Sequence, residues 1–501
     1  MSQRAYLGID LGAESGRAIL GTLEDGQLRC DEVHRFENRQ VQRDDGLRWD
    51  LDHLWDNILE SIRQGLNRAR SRKLNLQSIG IDTWGVDCAY VDAQNALLDE
   101  PFCYRDPRNV RAYEKMIESV GKPFIYEATG IQFMPINTLC QVLAQKEADP
   151  TVLDRADRML FIPDLLHMKL TGQKPVEATI ASTSQMIDPR TGKWAADLLN
   201  TLGVPTHMLG PIVPPATRLG PLLPEVAERI GSGAEALQVV VPATHDTAAA
   251  VAAVPAEPGT AWCYMSSGTW SLMGAELDEP CTSAEAMAVP FTNEGGIDGT
   301  IRFLKNIAGL WLVQQCRRDF KAQGKEMDYA ELTEAAEKAE PFRTFIDTDH
   351  EPFALPGDML EKMRTFARQT QQPVPETPGQ FVRACLESLA LRYRHVFDKL
   401  CEVLDRRFDV LHIVGGGGKN QLLNQMTADA TGCRVVAGPN EATTIGNLLT
   451  QAMGTGDVRD LQQIRQIVRT SFEPVTFQPG NSEAWRVADI RYKQILQGAG
   501  A

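Results

Sequence analysis

Short apolar runs separated by Gly, Asp or Asn predict three β-strands in the first part of the chain. These runs are residues 6–10 (YLGID), 17–23 (RAILGTL) and 32–36 (EVHRF). Apolar residues then recur at helical spacing over residues 52–69, which predicts an amphipathic helix. Two further apolar runs flank residues 83–85 (TWG), and a turn is predicted at residues 92–95. The pattern indicates a mixed α/β arrangement.

A change of composition near the middle of the chain indicates a domain boundary. Residues 205–224 are rich in Pro and Gly, which predicts an irregular surface connection. A buried strand at residues 238–242 (QVVVP) is predicted to run into a buried helix within THDTAAAVAAV. We therefore predict an N-terminal domain over residues 1–244 and a C-terminal domain over residues 245–501.

The second half begins with a pattern that resembles the start of the first half. Residues 261–274 (AWCYMSSGTWSLMG) have the outline of residues 6–21: an apolar run, a small polar turn with Gly, and a second apolar run. This outline is too short to establish a duplication, but it predicts one hairpin at the start of each sheet. A long amphipathic helix is predicted over residues 379–404, followed by a strand, the glycines 415–418, a helix and a strand.

Length and charge limit the classes of protein to which the chain can belong. A chain of 501 residues is long enough for two or three domains, since single cores stop growing at roughly 250–300 residues. The formal charge of −15, without a basic tract, argues against a nucleic-acid partner. No secretory signal and no run of about 18 apolar residues is present, so we expect a cytoplasmic protein with no membrane partner. The ten scattered cysteines, without a C-x-x-C, predict reduced thiols.

Three Gly-rich loops are candidates for phosphate binding, because a backbone without Cβ atoms can direct several N–H groups at one anion. They are residues 11–17 (LGAESGR), 266–270 (SSGTW) and 414–420 (VGGGGKN). None matches the P-loop pattern, and each alone is equally well explained as an ordinary tight turn. The presence of all three in one chain favours phosphate binding.

Two aspartates are candidates for phosphoryl-transfer chemistry, which needs a magnesium ion and a carboxylate that accepts a proton. Asp10 ends the first strand at a candidate phosphate loop, where a carboxylate on the magnesium side would lie. Asp246 opens the predicted helix after QVVVPATH, and we expect the helix N-terminus to keep it ionised as a weak proton acceptor. The alternatives are a turn-forming role for Asp10 and a helix-capping role for Asp246.

The stretch IDTWGVD (residues 81–87) is a candidate for binding a polyol. We predict that it forms a hairpin carrying two acids, a hydroxyl, an aromatic ring and Gly85. The alternative is that Trp84 belongs to the core and that Asp82 and Asp87 are turn residues. For His245, a neutral histidine bonded to the backbone is a better explanation than acid–base work, and a hydrogen bond to a substrate is compatible with either.

These motifs together resemble the FGGY carbohydrate-kinase family within the hexokinase and actin-like superfamily. The resemblance rests on DLGAESGR, GIDTWGVD, GIQFMPINTL, THDTA, SSGTWSLMG, TNEGG, LKNIAGLWLVQ and LHIVGGGGKNQLLNQMTADATG, which occur in family order along nearly the whole chain. It implies an α/β fold of two ribonuclease-H-like (actin-like ATPase) domains with mixed sheets flanked by helices. It also implies an active site in the interdomain cleft.

The resemblance further implies a role for individual residues. ATP contacts map onto two groups of residues: the first loop, Ala13, Glu14, Ser15, Gly16 and Arg17, and the later positions Thr269, Asn306, Gln314 and Gly416. Sugar contacts map onto Gly85, His245, Asp246 and Thr247. Asp246 is implied to be the catalytic proton acceptor, and Asp10 the aspartate on the Mg²⁺ side. Glu14 departs from the usual A-S-S-G-R loop, so we expect its side chain to face solvent, and Thr244 replaces a common Ser.

The implied reaction is ATP-dependent phosphorylation of a ketose. L-Rhamnulose, phosphorylated at the carbon-1 hydroxyl in L-rhamnose catabolism, is the substrate that the more specific motifs favour. L-Fuculose, L-ribulose and D-xylulose are alternatives, and a non-catalytic ATP- or sugar-binding module is a remote one. The implied ligands are ATP, Mg²⁺ and a small ketose, and both a monomer and a homodimer remain open.

Overall fold

The computed structural model describes residues 3–499 and divides them into two compact units. The first unit contains residues up to 255 together with residues 276–303 and 442–472. The second unit contains residues 256–275, 304–441 and the C-terminal segment from 473. These units differ from the continuous domains 1–244 and 245–501 that we predicted, because two segments from the second half of the chain pack in the first unit.

Twenty-one strands are present in the described part of the chain. In chain order, β1 to β21 are Arg4–Leu11, Ser15–Glu24, Gln27–Glu37, Gln40–Arg43, Gly46–Trp49, Asn75–Thr83, Cys88–Val91, Arg158–Phe161, Val176–Glu177, Ile187–Asp188, Lys193–Trp194, Ile212–Val213, Thr217–Pro221, Gln238–Val241, Trp262–Ser267, Trp270–Leu277, Thr292–Gly295, Ile301–Ala308, Val410–Val414, Arg434–Ala437 and Val475–Phe477.

Twenty α-helices are present in the same residues. In chain order, α1 to α20 are Leu51–Ser71, Arg108–Val120, Lys122–Thr129, Thr138–Ala148, Pro150–Arg155, Ile162–Thr171, Ala178–Ala181, Ala196–Thr201, Pro224–Ile230, Asp246–Ala252, Ala284–Ala288, Trp311–Ala322, Tyr329–Lys338, Glu351–Ala354, Met359–Gln369, Pro378–Leu404, Gln421–Thr431, Ala442–Thr455, Leu461–Ser471 and Ser482–Ala499. Three short 3₁₀ turns lie at Ser182–Ser184, Ile297–Gly299 and Gly416–Lys419.

The central sheet of the first unit is mixed, and its strand order is β13, β14, β6, β1, β2, β3. Strands β1 and β2 form the predicted hairpin, and β3, the third predicted strand, pairs antiparallel with β2. Strand β6 pairs parallel with β1, and β14 pairs parallel with β6. The parallel pairing brings the C-terminal ends of β1 and β6 to the same edge of the sheet.

The two faces of β1 bury different kinds of side chain. Leu7, Ile9 and Leu11 belong to an apolar core with the buried side of α1, where Gly65 leaves room for Leu7. Gly8 and Asp10 alternate with these residues and face the opposite side, where α18 packs on the sheet. Because side chains alternate along a strand, Asp10 can end a core strand without entering the apolar core.

In the second sheet, the strands that lie wholly or partly in the second unit have the order β18, β16, β15, β19, β20, β21, and residues 301–303 of β18 belong to the first unit. Strands β15 and β16 form the predicted antiparallel hairpin, and β15, β19 and β20 are parallel neighbours. Each unit therefore has a sheet that begins with a hairpin and continues with two parallel strands, which confirms the predicted mixed-sheet α/β fold. The predicted helices at 52–69 and 379–404 are α1 and α16, and a capping box of Thr377 and Gln380 begins α16.

The predicted hairpin at residues 81–87 was wrong. Strand β6 ends at Thr83, and β7 pairs with β8 in a separate two-stranded sheet instead of folding back on β6. The apolar residues of β6 already have parallel partners on both sides, in β1 and β14, so β6 has no free edge for β7.

Helices α10 and α18 of the first unit cross at Gly446. A Cβ atom at this position would lie 1.9 Å from the carbonyl oxygen of Ala249. No such approach is tolerated between non-bonded heavy atoms, so a side chain here forces the two helices apart.

We predict that Gly446→Ala lowers the thermal unfolding midpoint, with a loss of about 1–3 kcal/mol in the free energy of unfolding. Alanine ordinarily stabilises a helix relative to glycine. A loss of stability in Gly446→Ala would therefore identify the close helix crossing as the cause. Gly324→Ala is a suitable control, because a Cβ there meets open space and reports only the effect of a positive φ of 78°. A Gly446→Ala variant as stable as the parent protein would contradict the crossing.

Candidate active site

Strand register places three ionisable side chains at the C-terminal end of β1. Asp10 is opposite Arg17 in the antiparallel hairpin, and Arg17 donates to Asp10 Oδ2 from Nε at 2.9 Å and from Nη2 at 2.6 Å. Asp10 is also opposite Asp82 in the parallel pair of β1 and β6. Two carboxyl groups and one guanidinium therefore meet beside the loop after β1.

The loop between β1 and β2 is short and is held by backbone hydrogen bonds. The Gly12 amide donates to the Ser15 carbonyl at 2.9 Å, and the Glu14 carbonyl accepts from the Asn38 amide at 3.1 Å. Glu14 is an exposed residue, as we expected for its side chain, whereas Gly16 is buried against Phe36. Ala13 and Arg17 are half-buried at the two ends of the loop.

Asp82 is a fully buried member of this group that the sequence reasoning did not assign to phosphate chemistry. Its Oδ2 accepts from Asn447 Nδ2 at 2.6 Å, whereas its Oδ1 has no hydrogen-bond partner among the described residues. Burial, and next the charge of Asp10, raise the pKa of Asp82 well above its usual value. A sequence signal for it exists: the triplets GID at residues 8–10 and 80–82 are identical and pair residue for residue.

One side of α18 forms a polar layer over this part of the sheet. Gln451 Nε2 donates to the Leu7 carbonyl at 3.0 Å, and Gln451 Oε1 accepts from Ser78 Oγ at 2.8 Å. Thr444 Oγ1 lies 3.4 Å from Asp10 Oδ2. These residues recur at helical spacing with Asn447, so one helix face supplies donors and acceptors to the buried carboxyl groups. Nothing in the sequence analysis linked them to Asp10.

The segment Thr244–Thr247 lies beside the end of β6 and is fixed by a buried carboxylate. The Thr83 amide donates to the Thr244 carbonyl at 2.8 Å. Glu177 Oε2 accepts from the Thr244 amide at 3.2 Å and from its hydroxyl at 2.5 Å. The His245 amide donates to Thr179 Oγ1 at 3.2 Å. The backbone in front of α10 is therefore held from two sides.

Asp246 is the first residue of α10, and its Oδ1 accepts from the Thr247 amide at 2.5 Å and the Thr247 hydroxyl at 3.0 Å. Its side chain is 31% exposed, unlike that of Asp82. Burial raises the pKa of Asp246, with His245 opposing this shift and Asp10 adding to it. The expectation that the helix N-terminus dominates was therefore wrong: burial outweighs it, and the carboxylate is more basic than an ordinary aspartate.

Gly85 lies directly in front of the His245 ring. A Cβ at position 85 would be 3.3 Å from His245 Nε2 and 3.4 Å from Thr183 Oγ1. The next residue, Val86, has a φ of 71°, an unusual value for a β-branched residue. Its amide donates to Thr183 Oγ1 at 3.2 Å, and its carbonyl accepts from Thr138 Oγ1 at 2.6 Å. Surrounding side chains thus hold a strained turn at the predicted sugar position.

Asp87 fixes two tryptophan rings below this turn. Its Oδ2 accepts from Trp49 Nε1 at 2.6 Å and from Trp84 Nε1 at 2.9 Å, while Oδ1 accepts from Gln141 Nε2 at 3.0 Å. The two indole rings lie 4.1 Å apart between centroids. Burial raises the pKa of Asp87 to about 7, although these three hydrogen bonds oppose the shift. Trp84 is therefore a core residue, the alternative that the sequence left open.

In the second unit, two of the predicted nucleotide residues are in contact. Gln314 Nε2 donates to Thr269 Oγ1 at 3.2 Å, at the turn between β15 and β16. Gly416 begins the 3₁₀ turn after β19, and a Cβ at the adjacent Gly417 would be 2.1 Å from Ser267 Oγ. The two Gly-rich loops therefore pack on neighbouring parallel strands. Asn306 lies in β18, which is separated from β19 by the two strands β16 and β15.

Metal clusters and membrane-spanning helices are both absent from the described residues. Across residues 3–499, no group of three or more His, Cys, Asp and Glu side chains forms a ready metal site. None of the helices in that range combines the length and apolar character needed to cross a lipid bilayer.

We predict that the Asp87 carboxyl makes the stability of the protein depend on pH. The folded state keeps a proton that the unfolded chain loses above a pKa of 3.8. The stabilising contribution of Asp87 to the free energy of unfolding is therefore fully present below about pH 4. It decreases by about 1.4 kcal/mol per pH unit toward pH 7 and is constant above that value.

The measurement is the urea midpoint of the parent protein and of Asp87→Asn from pH 5 to 8, followed by tryptophan emission. The difference between the two proteins is expected to change up to about pH 7 and then to level off. Parallel pH profiles would contradict the buried titration.

Comparisons with known proteins match nearly the whole chain to one family. Residues 5–253 match the N-terminal domain of the FGGY family of carbohydrate kinases, and residues 263–455 match its C-terminal domain. A rhamnulokinase of Bacteroides thetaiotaomicron is 42% identical over 98% of this chain and 99% of its own, and one of Bacillus subtilis is 39% identical over the same shares.

Solved structures with the same fold include a ligand-bound xylulose kinase of Lactobacillus acidophilus, with a TM-score of 0.82 at 15% identity over 99% of both chains. Another is a glycerol kinase of Plasmodium falciparum with ADP, with a TM-score of 0.79 at 16% identity over 99% of this chain and 98% of that one. The family models, the identities over nearly full length and the shared fold lead to one conclusion: this chain belongs to the FGGY family of carbohydrate kinases.

Proposed function

We propose that this chain is a rhamnulokinase that transfers the γ-phosphoryl group of ATP to the carbon-1 hydroxyl of L-rhamnulose. The observation that carries the proposal is 42% identity to a rhamnulokinase over 98% of this chain. The products are L-rhamnulose 1-phosphate and ADP, and the reaction belongs to L-rhamnose catabolism in the cytoplasm.

Asp246 is the proton acceptor in this proposal. The carbon-1 oxygen attacks the γ-phosphorus, the bond to the β-phosphate oxygen breaks, and the hydroxyl proton passes to the Asp246 carboxylate. A loose phosphoryl-transfer transition state needs only a weak base, and the raised pKa of Asp246 makes it a better one than an ordinary aspartate. Thr247 occupies Oδ1 with two donors, which supports the use of Oδ2 toward the substrate.

The sugar is proposed to bind against Gly85, His245 and Thr247. Glycine at position 85 leaves the His245 Nε2 edge uncovered, since a Cβ there would be only 3.3 Å away. Trp84 supports this position from the core through its hydrogen bond to Asp87 rather than by packing on the sugar.

ATP is proposed to contact the backbone of Ala13–Arg17 in the first unit. In the second unit it is proposed to contact Thr269, Asn306, Gln314 and Gly416. Backbone N–H groups of small residues suit the phosphates, and the hydrogen bond of Gln314 to Thr269 orders the hydroxyl that is proposed to reach them.

The donor set near Asp10 fits a magnesium ion that arrives with ATP. Mg²⁺ usually takes one or two carboxylates and completes its shell with water and phosphate oxygens, so a cluster of three protein ligands is not required. Asp10 supplies such a carboxylate, and Asp82, its register partner, has an Oδ1 atom without a hydrogen-bond partner among the described residues. Bound there, the ion would neutralise charge on the β- and γ-phosphates.

We predict that kcat/KM is highest for L-rhamnulose in an ADP-release assay over L-rhamnulose, L-fuculose, L-ribulose and D-xylulose. A difference of one hydroxyl configuration or one methyl group supports a preference of about 10-fold or more. An equal or higher kcat/KM for one of the other ketoses would overturn the assignment of substrate while leaving the kinase activity in place.

We predict that Asp246→Asn lowers kcat about 10²- to 10⁴-fold, with little change in binding of ketose or ATP, because the amide cannot accept the proton. Steady-state kinetics and equilibrium binding measure the two effects. Asp298→Asn is the matched control, since Asp298 accepts from the Leu461 amide at 2.8 Å in the same unit and has no proposed catalytic role. Unchanged turnover of Asp246→Asn would remove Asp246 from the mechanism.

A further inference from the structure

A buried ion pair lies behind the His245 ring, on the side away from Gly85. Arg302 of β18 is fully buried, and its Nη2 lies 3.0 Å from Glu294 Oε2 and 3.0 Å from His245 Nδ1. Arg302 Nε donates to the Gly295 carbonyl at 2.9 Å. All three side chains lie in the first unit, and the function proposed above uses neither Arg302 nor Glu294.

The chemistry of the guanidinium determines what His245 Nδ1 can do. Arginine stays protonated in proteins and its nitrogens can only donate. With Nη2 at hydrogen-bond distance, Nδ1 is stabilised as an acceptor, and in a neutral imidazole the proton then lies on Nε2. A proton on Nδ1 would instead point at a donor.

The Nε2 edge of the His245 ring faces Asp246 and the backbone of Gly85. His245 Nε2 is 3.4 Å from Asp246 Oδ1 and 3.3 Å from the point that a Cβ of residue 85 would occupy. An Nε2–H group in this position can donate to a sugar oxygen or to the Asp246 carboxylate. The opposite tautomer would present a lone pair to that carboxylate, which is unfavourable.

We propose that Arg302, held by Glu294, is a positioning residue that fixes His245 as the Nε2–H tautomer and so supplies a hydrogen-bond donor to the ketose. The role in ketose binding rests on the proposed function, whereas the tautomer itself does not. The residues lie in and after TNEGG, a motif that the sequence analysis singled out and to which no role had been given.

Glu294 acts as the counter-ion of Arg302 rather than as a proton acceptor. Burial alone would raise the pKa of Glu294, but the Arg302 charge and the contact with His245 outweigh it, so this pKa lies below its usual value. An ionised Glu294 compensates the buried Arg302 charge. Its Oε2 is also 3.3 Å from His245 Nδ1, so the competing arrangement, in which Glu294 takes an Nδ1–H, defines the test.

The decisive measurement is the protonation of the two His245 nitrogens by NMR of protein labelled with ¹⁵N-histidine, at a pH of about 8, above the ordinary histidine pKa. His245→Asn assigns the signals among the eight histidines. The expected result is a protonated Nε2 and an unprotonated Nδ1, both in the parent protein and in Glu294→Gln. A protonated Nδ1 in the parent protein, alone or together with Nε2, would overturn the proposal.

Arg302→Met provides the second arm, because it removes the donor and leaves Glu294 as the nearest partner of Nδ1. The proton is expected to move to Nδ1, and KM for the ketose to rise about 10-fold or more with KM for ATP unchanged, the size expected for an unpaired buried polar group. In a His245→Asn background the same substitution is expected to have little further effect on the ketose KM. An unchanged tautomer together with an unchanged ketose KM would overturn the proposal.

Arg465→Met is the matched control. Arg465 forms a buried ion pair with Glu276 in the same unit at 2.7 Å, and no role at His245 is proposed for it. It is expected to lower stability without changing the tautomer or the ketose KM. If Arg302→Met does not fold, the NMR spectra of the parent protein and of Glu294→Gln still determine the tautomer of His245 and so test the proposal. If the parent protein phosphorylates no ketose, the proposed function fails while the tautomer result stands.

Discussion

The parallel pairing of β1 with β6 is the constraint on which the site depends. It sets Asp10 against Asp82 at one edge of a sheet, and two adjacent carboxyl groups that are both buried are costly unless something compensates them. Arg17 compensates Asp10 from the next strand, while Asn447 and a raised pKa compensate Asp82. The sheet can therefore keep acidic groups at the place where phosphates are proposed to bind.

The polar layer of α18 follows from the same constraint. An apolar helix on this face of the sheet would leave Asp82 and the Leu7 carbonyl of β1 without these donors. Asn447 and Gln451 supply them, and glycines at positions 8 and 80 allow the helix to come close, since a Cβ at Gly8 would be 3.0 Å from Thr444. The helix crossing at Gly446 fixes α18 against α10, which begins with Asp246. Packing and chemistry are thus supported by the same helix.

Local signals in the sequence were sufficient for the strands, hairpins and long helices, but not for contacts between distant segments. Pairs of apolar runs joined by a small polar turn predicted the two hairpins, and helical spacing predicted α1 and α16. The wrong hairpin at residues 81–87 arose because proximity in sequence favoured pairing of β6 with β7. The partners of β6 lie some 70 residues before it and about 160 after it, and no local pattern reports them.

The same limit explains which site residues the sequence could supply. Asp10, Asp246 and Gly85 stand at strand or helix ends, where turn chemistry marks them. Glu294, Arg302 and Asn447 lie 48 to 201 residues after Asp246, in segments that return to the first unit. Their polar character was visible in the sequence, but the role of each side chain depends on the neighbours that folding gives it. Since a fully buried arginine is stable only with partners, Arg302 in β18 is best understood from the groups it touches, His245 and Glu294, rather than from its place in the chain.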